Sequence, residues 1–386
     1  MTASPALPAT TRPPRRLVVK LGTGVLTSGV GRLDQARIAA VCAELAALRA
    51  AGTEVLVVSS GAVGLGMGAL GLERRPREVA RKQACAAIGQ SRLMQVWQAG
   101  LDPHGLTAAQ VLLTHEDLRA RARFLGVQAT LRQLIAYGTI PVINENDTVS
   151  VEELRTSFGD NDRLAALVAT LLGAPLLLLL SDVDGLYDRH PGEPEAAILR
   201  HVPRIDAGVE GLARDRLGGL SKGGMASKIA AARIVTEAGG NCIIASGRND
   251  HVLDEVCRGA DVGTLFSSRA AAVPAWKRWL GWSAEPRGSV VVDAGAREAV
   301  VDGGRSLLAA GVVSVAGQFA AGDVVALTTG TGRPFARGLV NYAADELRRI
   351  AGLKTDAIAA MLGSVPYEEV IHRDNLAIVS REEAAC

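Results

Sequence analysis

Residues 174–182 read "APLLLLLSD", with five consecutive leucines, Leu176 to Leu180, running straight into Ser181 and Asp182. A bilayer-spanning helix needs roughly 18 to 20 apolar residues, and no run in the chain approaches that length. A short, continuous apolar run without alternation is the mark of a strand buried on both faces, as in a parallel sheet. That reading makes a prediction about the rest of the chain: strands of this kind have to be separated by helices that cover both faces.

Working outward, the alternation is found. "RLVVKLGTG" (16–24) is an apolar run ending in glycines, and "RLDQARIAAVCAELAALRAAG" (32–52) follows with helical periodicity and a glycine stop. "TEVLVVSSGAVGLG" (53–66) repeats strand and loop, "ARKQACAAIGQSRLMQVWQAG" (80–100) is helical, and "LTAAQVLLT" (106–114) is a strand. A helix around "ARFLGVQATLRQLIAYG" leads into "TIPVINEND", then "DRLAALVATLLG", the leucine strand, a helix near "GMASKIAAARIVTEAG" and the strand "NCIIASG". The pattern predicts an α/β fold: a mostly parallel sheet between two layers of helices. Ligands of such sheets sit beyond the carboxyl ends of the strands. Four of those ends carry polar or glycine-rich loops: "KLGTG" at 20–24, "SSGA" at 59–62, "NEND" at 144–147 and "SDVDG" at 181–185. Any single loop of this composition can be a plain turn. Four together point to a site.

After Gly247 the character changes. Trp276, Trp279 and Trp282 fall at i, i+3 and i+6 in "WKRWLGWSAEP", and short strand-like runs follow: "GSVVVDAGA", "GVVSVAG", "GDVVALTT", "FARGLVNY" and "LAIVS". The tryptophans are read as packing a linker against a domain. The expected division is a disordered tail at 1–14, an α/β domain at 15–268, a linker at 269–285 and a small β-rich domain at 286–380.

Composition narrows the function. The 386 residues are 48% hydrophobic and 21% charged, an ordinary globular balance, and a net charge of +2 argues against a large polyanion-binding surface. Five scattered cysteines, Cys42, Cys85, Cys242, Cys257 and Cys386, form no C-x-x-C pair. They suit reduced core thiols in a cytosol better than a disulfide framework or a zinc site. The N-terminal "MTASPALPATTRPPRR" has proline and threonine where a secretory signal has its apolar segment, so it is read as a tail and the chain as cytoplasmic. No set of metal-ligating residues stands out.

Neither glycine loop has G-x-G-x-x-G spacing and no G-x-x-x-x-G-K-[ST] occurs, which disfavours a dehydrogenase and a P-loop enzyme. What remains are glycine loops with lysines beside them: Lys20 after the first strand, and Lys222 and Lys228 around "GGMAS" before a helix. Backbone N–H groups, a helix N-terminus and a lysine together attract phosphate. Phosphoryl transfer is mostly positioning and charge neutralisation, so Lys20 and Lys228 approaching the moving group from two sides would suffice. No histidine sits among the strand-end motifs, which favours an acceptor that needs no general base, such as a carboxylate. If the ligand is a small zwitterion, its ammonium group needs a carboxylate partner, which Asp147 can provide. Ser60 with the N–H groups of Gly61 and Ala62 can hold a carboxylate, and Asn161 can bond either end. Asn144 and Asn146 are read as bracing the loop.

In order, "VVKLGTG", "VVSSGAVGLG", "KQACAAIGQSRLMQ", "PVINENDTV", "FGDNDRLAALVA", "LLLLSDVDGLY" and "GGMASKIAAA" resemble the glutamate 5-kinases of the amino acid kinase family. The tail with "RRIAG" and "IHRDNLAIV" resembles a PUA domain. The resemblance implies a three-layer αβα sandwich of the amino acid kinase fold with a β-rich PUA domain. It implies transfer of the γ-phosphate of ATP, with Mg²⁺, to the side-chain carboxylate of L-glutamate, the first step toward proline. By motif, Lys20 and Lys228 correspond to the phosphate-contacting lysines, and Asp162 to the aspartate that orients them. Ser60, Asp147 and Asn161 correspond to glutamate-binding positions. Ser181, Asp182 and the segment Lys222, Gly223, Gly224, Met225, Ala226, Ser227 and Lys228 correspond to nucleotide-binding positions. Feedback inhibition by proline, a tetramer or dimer, and a partner glutamyl-phosphate reductase are further implications. The chain departs from the family at Lys222 and Ser227, where threonines are usual, at Gly24, where serine is common, and at Ser181, where threonine is.

Two rivals are kept. A sibling kinase would act on N-acetylglutamate, aspartate, carbamate or a nucleoside monophosphate, but acetylation removes the ammonium and leaves Asp147 without a partner. A PUA-like domain also raises RNA binding. Residues 287–386 carry ten Lys plus Arg against twelve Asp plus Glu, the wrong sign for gripping phosphate backbones.

Overall fold

The computed structural model describes residues 14–29, 31–149, 161–214, 224–268, 275–330, 333–354, 357–358, 361 and 367–379. The expected tail up to residue 13, the "FGD" of 158–160, Lys222, Gly223, Cys386 and residues 269–274 lie outside these. The chain forms two compact units, one of residues 1–118 with 122–272 and one of residues 119–121 with 273–386.

The first unit is built on an eight-stranded sheet. Leaving aside a short hairpin at 27–33, its strands in chain order are β1 Arg16–Leu21, β2 Glu54–Ser59, β3 Ala108–Leu113, β4 Ile140–Glu145, β5 Leu176–Ser181, β6 His201–Val202, β7 Asn241–Ser246 and β8 Thr264–Phe266. Their spatial order is β3-β4-β2-β1-β5-β7-β8-β6. Every pairing is parallel except that of β7 with β8. The leucine run is β5, buried at every position from Leu176 to Ser181. Burying a leucine contributes about 1.5–3 kcal/mol relative to leaving it exposed, so this strand anchors the sheet.

The helices used below are α1 Gln35–Ala50, α2 Ala62–Ala69, α3 Val79–Leu101, α4 Arg121–Ala136, α5 Asn161–Leu172, α6 Met225–Glu237 and α7 Val252–Cys257. Successive side chains of a strand point to opposite faces. Leu17, Val19 and Leu21 of β1 therefore join one core with Ile38, Val41, Leu45 and Leu48 of α1 and with Leu93 and Trp97 of α3. Lys20 points the other way, where α5 lies. Asp34 caps α1 by accepting a hydrogen bond from Arg37 N. In α5 every residue from Leu164 to Leu172 is buried.

One segment differs from the sequence expectation. "GAVGLG" was expected as loop, yet Ala62 to Ala69 is helical. Glycine disfavours a helix interior by up to about 1 kcal/mol, and here close packing outweighs that. A Cβ on Gly66 would lie 1.8 Å from Cys85 O, and one on Gly89 would lie 1.7 Å from Ala62 O. Two helices, α2 and α3, thus touch backbone to backbone through their glycines.

The parallel strands end on one edge, stitched together by Gly22 N to Leu180 O (3.1 Å), Ser60 N to Leu21 O (3.3 Å) and Gly247 N to Ser181 O (2.7 Å). Cys42, Cys85, Cys242 and Cys257 are buried free thiols. Burial pushes Cys42 up to about 12, and burial with the nearby Asp254 and Glu44 charges does the same to Cys257. Such thiols are inert core fillers. Among the described residues no helix is long and apolar enough to cross a membrane.

The second unit holds a five-stranded sheet in the order Val312–Gly317, Gly288–Val292, Val324–Thr328, Ala336–Leu339, Leu376–Ile378. Its own core includes Val290, Leu327, Tyr342, Leu347 and Ile371. Residues 275–283 are helical, with Trp279 buried.

Candidate active site

Three charged side chains meet beyond the carboxyl ends of β1 and β5. Lys20 comes from β1, Asp162 is the second residue of α5, and Lys228 lies in the first turn of α6. Their exposures are 5%, 0% and 5%. Lys20 Nζ lies 2.5 Å from Asp162 Oδ1, and Lys228 Nζ lies 3.2 Å from Asp162 Oδ2. Ser227 Oγ donates to the same Oδ2 at 3.1 Å. Burial pushes the Asp162 carboxyl up, but the two ammonium groups outweigh it and hold the group below its ordinary range. Two ammonium groups thus gather on the one Asp162 carboxylate, an arrangement suited to an incoming phosphoryl group.

The second half of the site is neutral and hydrogen-bonded. Asn161, the first residue of α5, donates from Nδ2 to Ser59 O (3.0 Å), Ser60 Oγ (2.8 Å) and Asn144 Oδ1 (2.9 Å). Beneath them, Trp97 Nε1 donates to Ser59 Oγ at 3.0 Å. Gly61 has φ +111°, a left-handed conformation that only glycine adopts easily, and it turns the chain from β2 into α2. The first N–H groups of α2 are left unspent by the helix's own ladder, as at any helix start.

Asp147 follows β4. Burial and the neighbouring Glu145 charge push its carboxyl up from 3.8 to about 6, with Arg75 opposing. The structure thus brings Lys20, Asp162 and Lys228 together in one cluster, and Ser60 with Asn161 in another. Among the described residues no hydrogen bond or ion pair joins Asp147 to Ser60 or Asn161.

At the nucleotide-side positions, Ser181 Oγ donates to Asp182 Oδ1 at 3.0 Å. A Cβ on Gly24 would lie 3.5 Å from Asp182 Oδ2, so the first loop runs close against this aspartate. Gly224 opens α6, followed by Met225, Ala226, Ser227 and Lys228, and Ser227 Oγ lies 2.8 Å from Gly224 O, an alternative acceptor to Asp162 for its one hydroxyl hydrogen. The α6 N-terminus is a ready anion site.

Among the described residues no group of three or more His, Cys, Asp or Glu could hold a metal ion. Asp162 is engaged on both oxygens by ammonium groups. The described residues therefore form no cage for Mg²⁺.

Sequence reasoning missed Gln90, Gln110 and Trp97 as parts of the site's support. Gln90 stands in the quoted motif "KQACAAIGQSRLMQ", but nothing in helical spacing separates a buried glutamine from a solvated one.

With this geometry in hand, comparison with known proteins is specific. The sequence profile of the amino acid kinase family matches residues 15–246, and that of the PUA domain matches residues 288–362. The chain is 48% identical over 368 residues to the glutamate 5-kinase of Anaeromyxobacter dehalogenans, covering 95% of this chain and 96% of that one. It is 48% identical over 369 residues to the glutamate 5-kinase of Myxococcus xanthus, covering 95% and 97%. To that of Meiothermus ruber it is 47% identical over 378 residues, covering 98% and 99%.

Proposed function

Because the chain belongs to the amino acid kinase family, we propose that its strand-end site performs the reaction for which its full-length relatives are named. It phosphorylates the γ-carboxylate of L-glutamate with ATP, giving L-glutamyl 5-phosphate and ADP, the first step of proline biosynthesis. The observation that carries this reading is the Lys20–Asp162–Lys228 cluster, whose Asp162 is next along the chain to Asn161 of a neutral hydrogen-bonded pair, Ser60 and Asn161.

The chemistry follows from the groups. A carboxylate with a pKa near about 4.3 is already ionised at neutral pH, so the acceptor attacks without a general base. Its oxygen forms a bond to the γ-phosphorus while the bond to the β–γ bridging oxygen breaks, and that electron pair leaves with ADP. Lys20 and Lys228 neutralise charge on the transferring group. Asp162 holds both lysines in place. Ser181, Asp182 and the segment from Lys222 to Lys228 take the nucleotide, with phosphate at the N-terminus of α6. Ser60 and Asn161 orient glutamate, and Asp147 pairs with its ammonium group.

Mg²⁺ would be held by the phosphates of the nucleotide, as this ion commonly is, rather than by a protein cage. When bound there it adds charge neutralisation at the phosphates. The same reading includes a cytoplasmic enzyme, feedback inhibition by proline and a homo-oligomeric assembly, each an implication of the family resemblance in the sequence motifs. A reductase that consumes the product is supported by the reactivity of an acyl phosphate.

The test is hydroxamate formation from ATP, Mg²⁺ and hydroxylamine, comparing L-glutamate, N-acetylglutamate and L-aspartate in wild type and Asp147→Ala. Product is expected with L-glutamate alone. Loss of a charged hydrogen bond of about 1.5–3 kcal/mol should raise the glutamate KM of the variant roughly ten- to hundredfold. Preference for N-acetylglutamate or aspartate, or an unchanged KM, would overturn the substrate assignment.

A further inference from the structure

We propose that Gln90 is a positioning residue for the substrate's ammonium group, acting through Asn144 on Asn161; this rests on the placement of glutamate proposed above. The argument is one of hydrogen-bond polarity. Asn161 lies 3.0 Å from Ser59 O, a backbone carbonyl that can only accept, so the atom facing it must be the NH₂ nitrogen. That nitrogen also reaches Ser60 Oγ and Asn144 Oδ1. Two hydrogens are shared among three acceptors. The Oδ1 of Asn161 takes no protein donor among the described residues, and it is the atom left for a ligand. A lone carbonyl oxygen suits a ligand that donates, as an ammonium group does.

Asn144 supports this orientation only when its own carbonyl oxygen faces Asn161. Asn144 Oδ1 accepts from Glu145 N, a group that can only donate, at 2.9 Å. If the Asn144 amide were reversed, its NH₂ would face both the Glu145 N–H and the NH₂ of Asn161, donor against donor. What gives the correct orientation a partner on its far side is Gln90. Asn144 Nδ2 donates to Gln90 Oε1 at 2.9 Å, and Gln90 Nε2 donates to Gln110 Oε1 at 3.3 Å. Asn144 is 2% exposed and Gln90 9%, so water does not readily replace the bond between them. Gly89 lets α3 approach the Ala62 backbone closely enough to place Gln90 here.

The test uses the full chain and steady-state hydroxamate kinetics on Gln90→Leu, Gln90→Glu, Gln110→Leu and Asp147→Ala. Gln90→Leu should raise the glutamate KM about tenfold or more while the ATP KM stays within about twofold, a split that general loosening would not produce. Gln90→Glu keeps an acceptor for Asn144 Nδ2, and Gln110 can turn its amide to donate. It should return the glutamate KM to within about threefold of wild type. Gln110→Leu removes only the far end of the chain and should give a smaller rise, about threefold, which keeps the idea testable should Gln90→Leu fail to fold. Wild-type glutamate KM in Gln90→Leu or Gln110→Leu, equal rises for both substrates, or no rescue by Gln90→Glu would overturn the inference. If Asp147→Ala weakens glutamate while Gln90→Leu does not, only the amide chain falls; if Asp147→Ala has no effect, the substrate placement beneath it falls.

Discussion

Two ammonium groups share the Asp162 carboxylate, one on each oxygen, at 2.5 Å and 3.2 Å in a buried setting. Asp162→Asn would remove the buried carboxylate that both cations share, a loss of about 3–5 kcal/mol in stability. Urea unfolding should show it, and kcat at saturating substrates should fall at least about tenfold as the lysines lose their fixed positions. Asp147 carries the opposite tension. Its carboxyl rises from 3.8 to about 6 because burial, then Glu145, disfavour its charge, with Arg75 opposing. The folded chain holds a proton there that the unfolded chain sheds between those values, so stability falls as pH rises across that window and stays lower above it. Asp147→Asn should therefore stabilise the protein at pH 8 by about 1–3 kcal/mol while weakening glutamate binding. In wild type the glutamate KM should rise about tenfold per pH unit below about 6, where the ammonium partner is protonated, and be flat above it. Lys20 and Asp147 stood out as candidates in the sequence because charged residues following apolar runs are costly unless they have work at a strand end, whereas Asp162, at the start of a helix, was indicated only by the family resemblance. Gln90 and Trp97 were not legible, because their partners come from other elements, and a glutamine or tryptophan on a helix has an ordinary structural explanation.

At the scale of elements, apolar runs such as Leu176–Leu180 announce strands because burial on both faces leaves no room for alternation. Glycines in a helix are harder to read, since the reason for each lies in whatever packs against it. Gly64 and Gly66 sit in the same eight-residue helix α2. A Cβ on Gly64 would meet nothing within 4 Å, whereas one on Gly66 would strike Cys85 O at 1.8 Å. Gly64→Ala should gain about 0.5–1 kcal/mol from helix propensity alone. Gly66→Ala must push α3 away and should cost about 1–3 kcal/mol as overpacking. Paired chemical melts on the two variants check this, and equal effects would mean that α2 and α3 are not in backbone contact. This contact is why "GAVGLG" reads as a loop locally and folds as a helix.

At the scale of the whole molecule, the two units have separate cores, one drawing on residues from Leu17 to Cys257 and the other on residues from Val290 to Leu376. After Gly247 the sequence changes from long helices to short alternating strands, two patterns that cannot share one layer architecture. Every residue placed at the site from Lys20 to Lys228 lies in the first unit. Its hydrogen bonds and ion pairs join β1, β2, β4, α5 and α6, all of which precede residue 238. A chain ending at residue 272 keeps that network and its core intact. It should form glutamyl hydroxamate with KM values for glutamate and ATP within about threefold of the full chain, with any deficit appearing as lower stability. A loss of about tenfold or more in kcat/KM, in a truncated protein that still unfolds cooperatively, would instead mean that the second unit shapes the site. The two results lead to different accounts of the β-rich unit: an appendage for assembly or regulation in the first case, a part of the catalyst in the second.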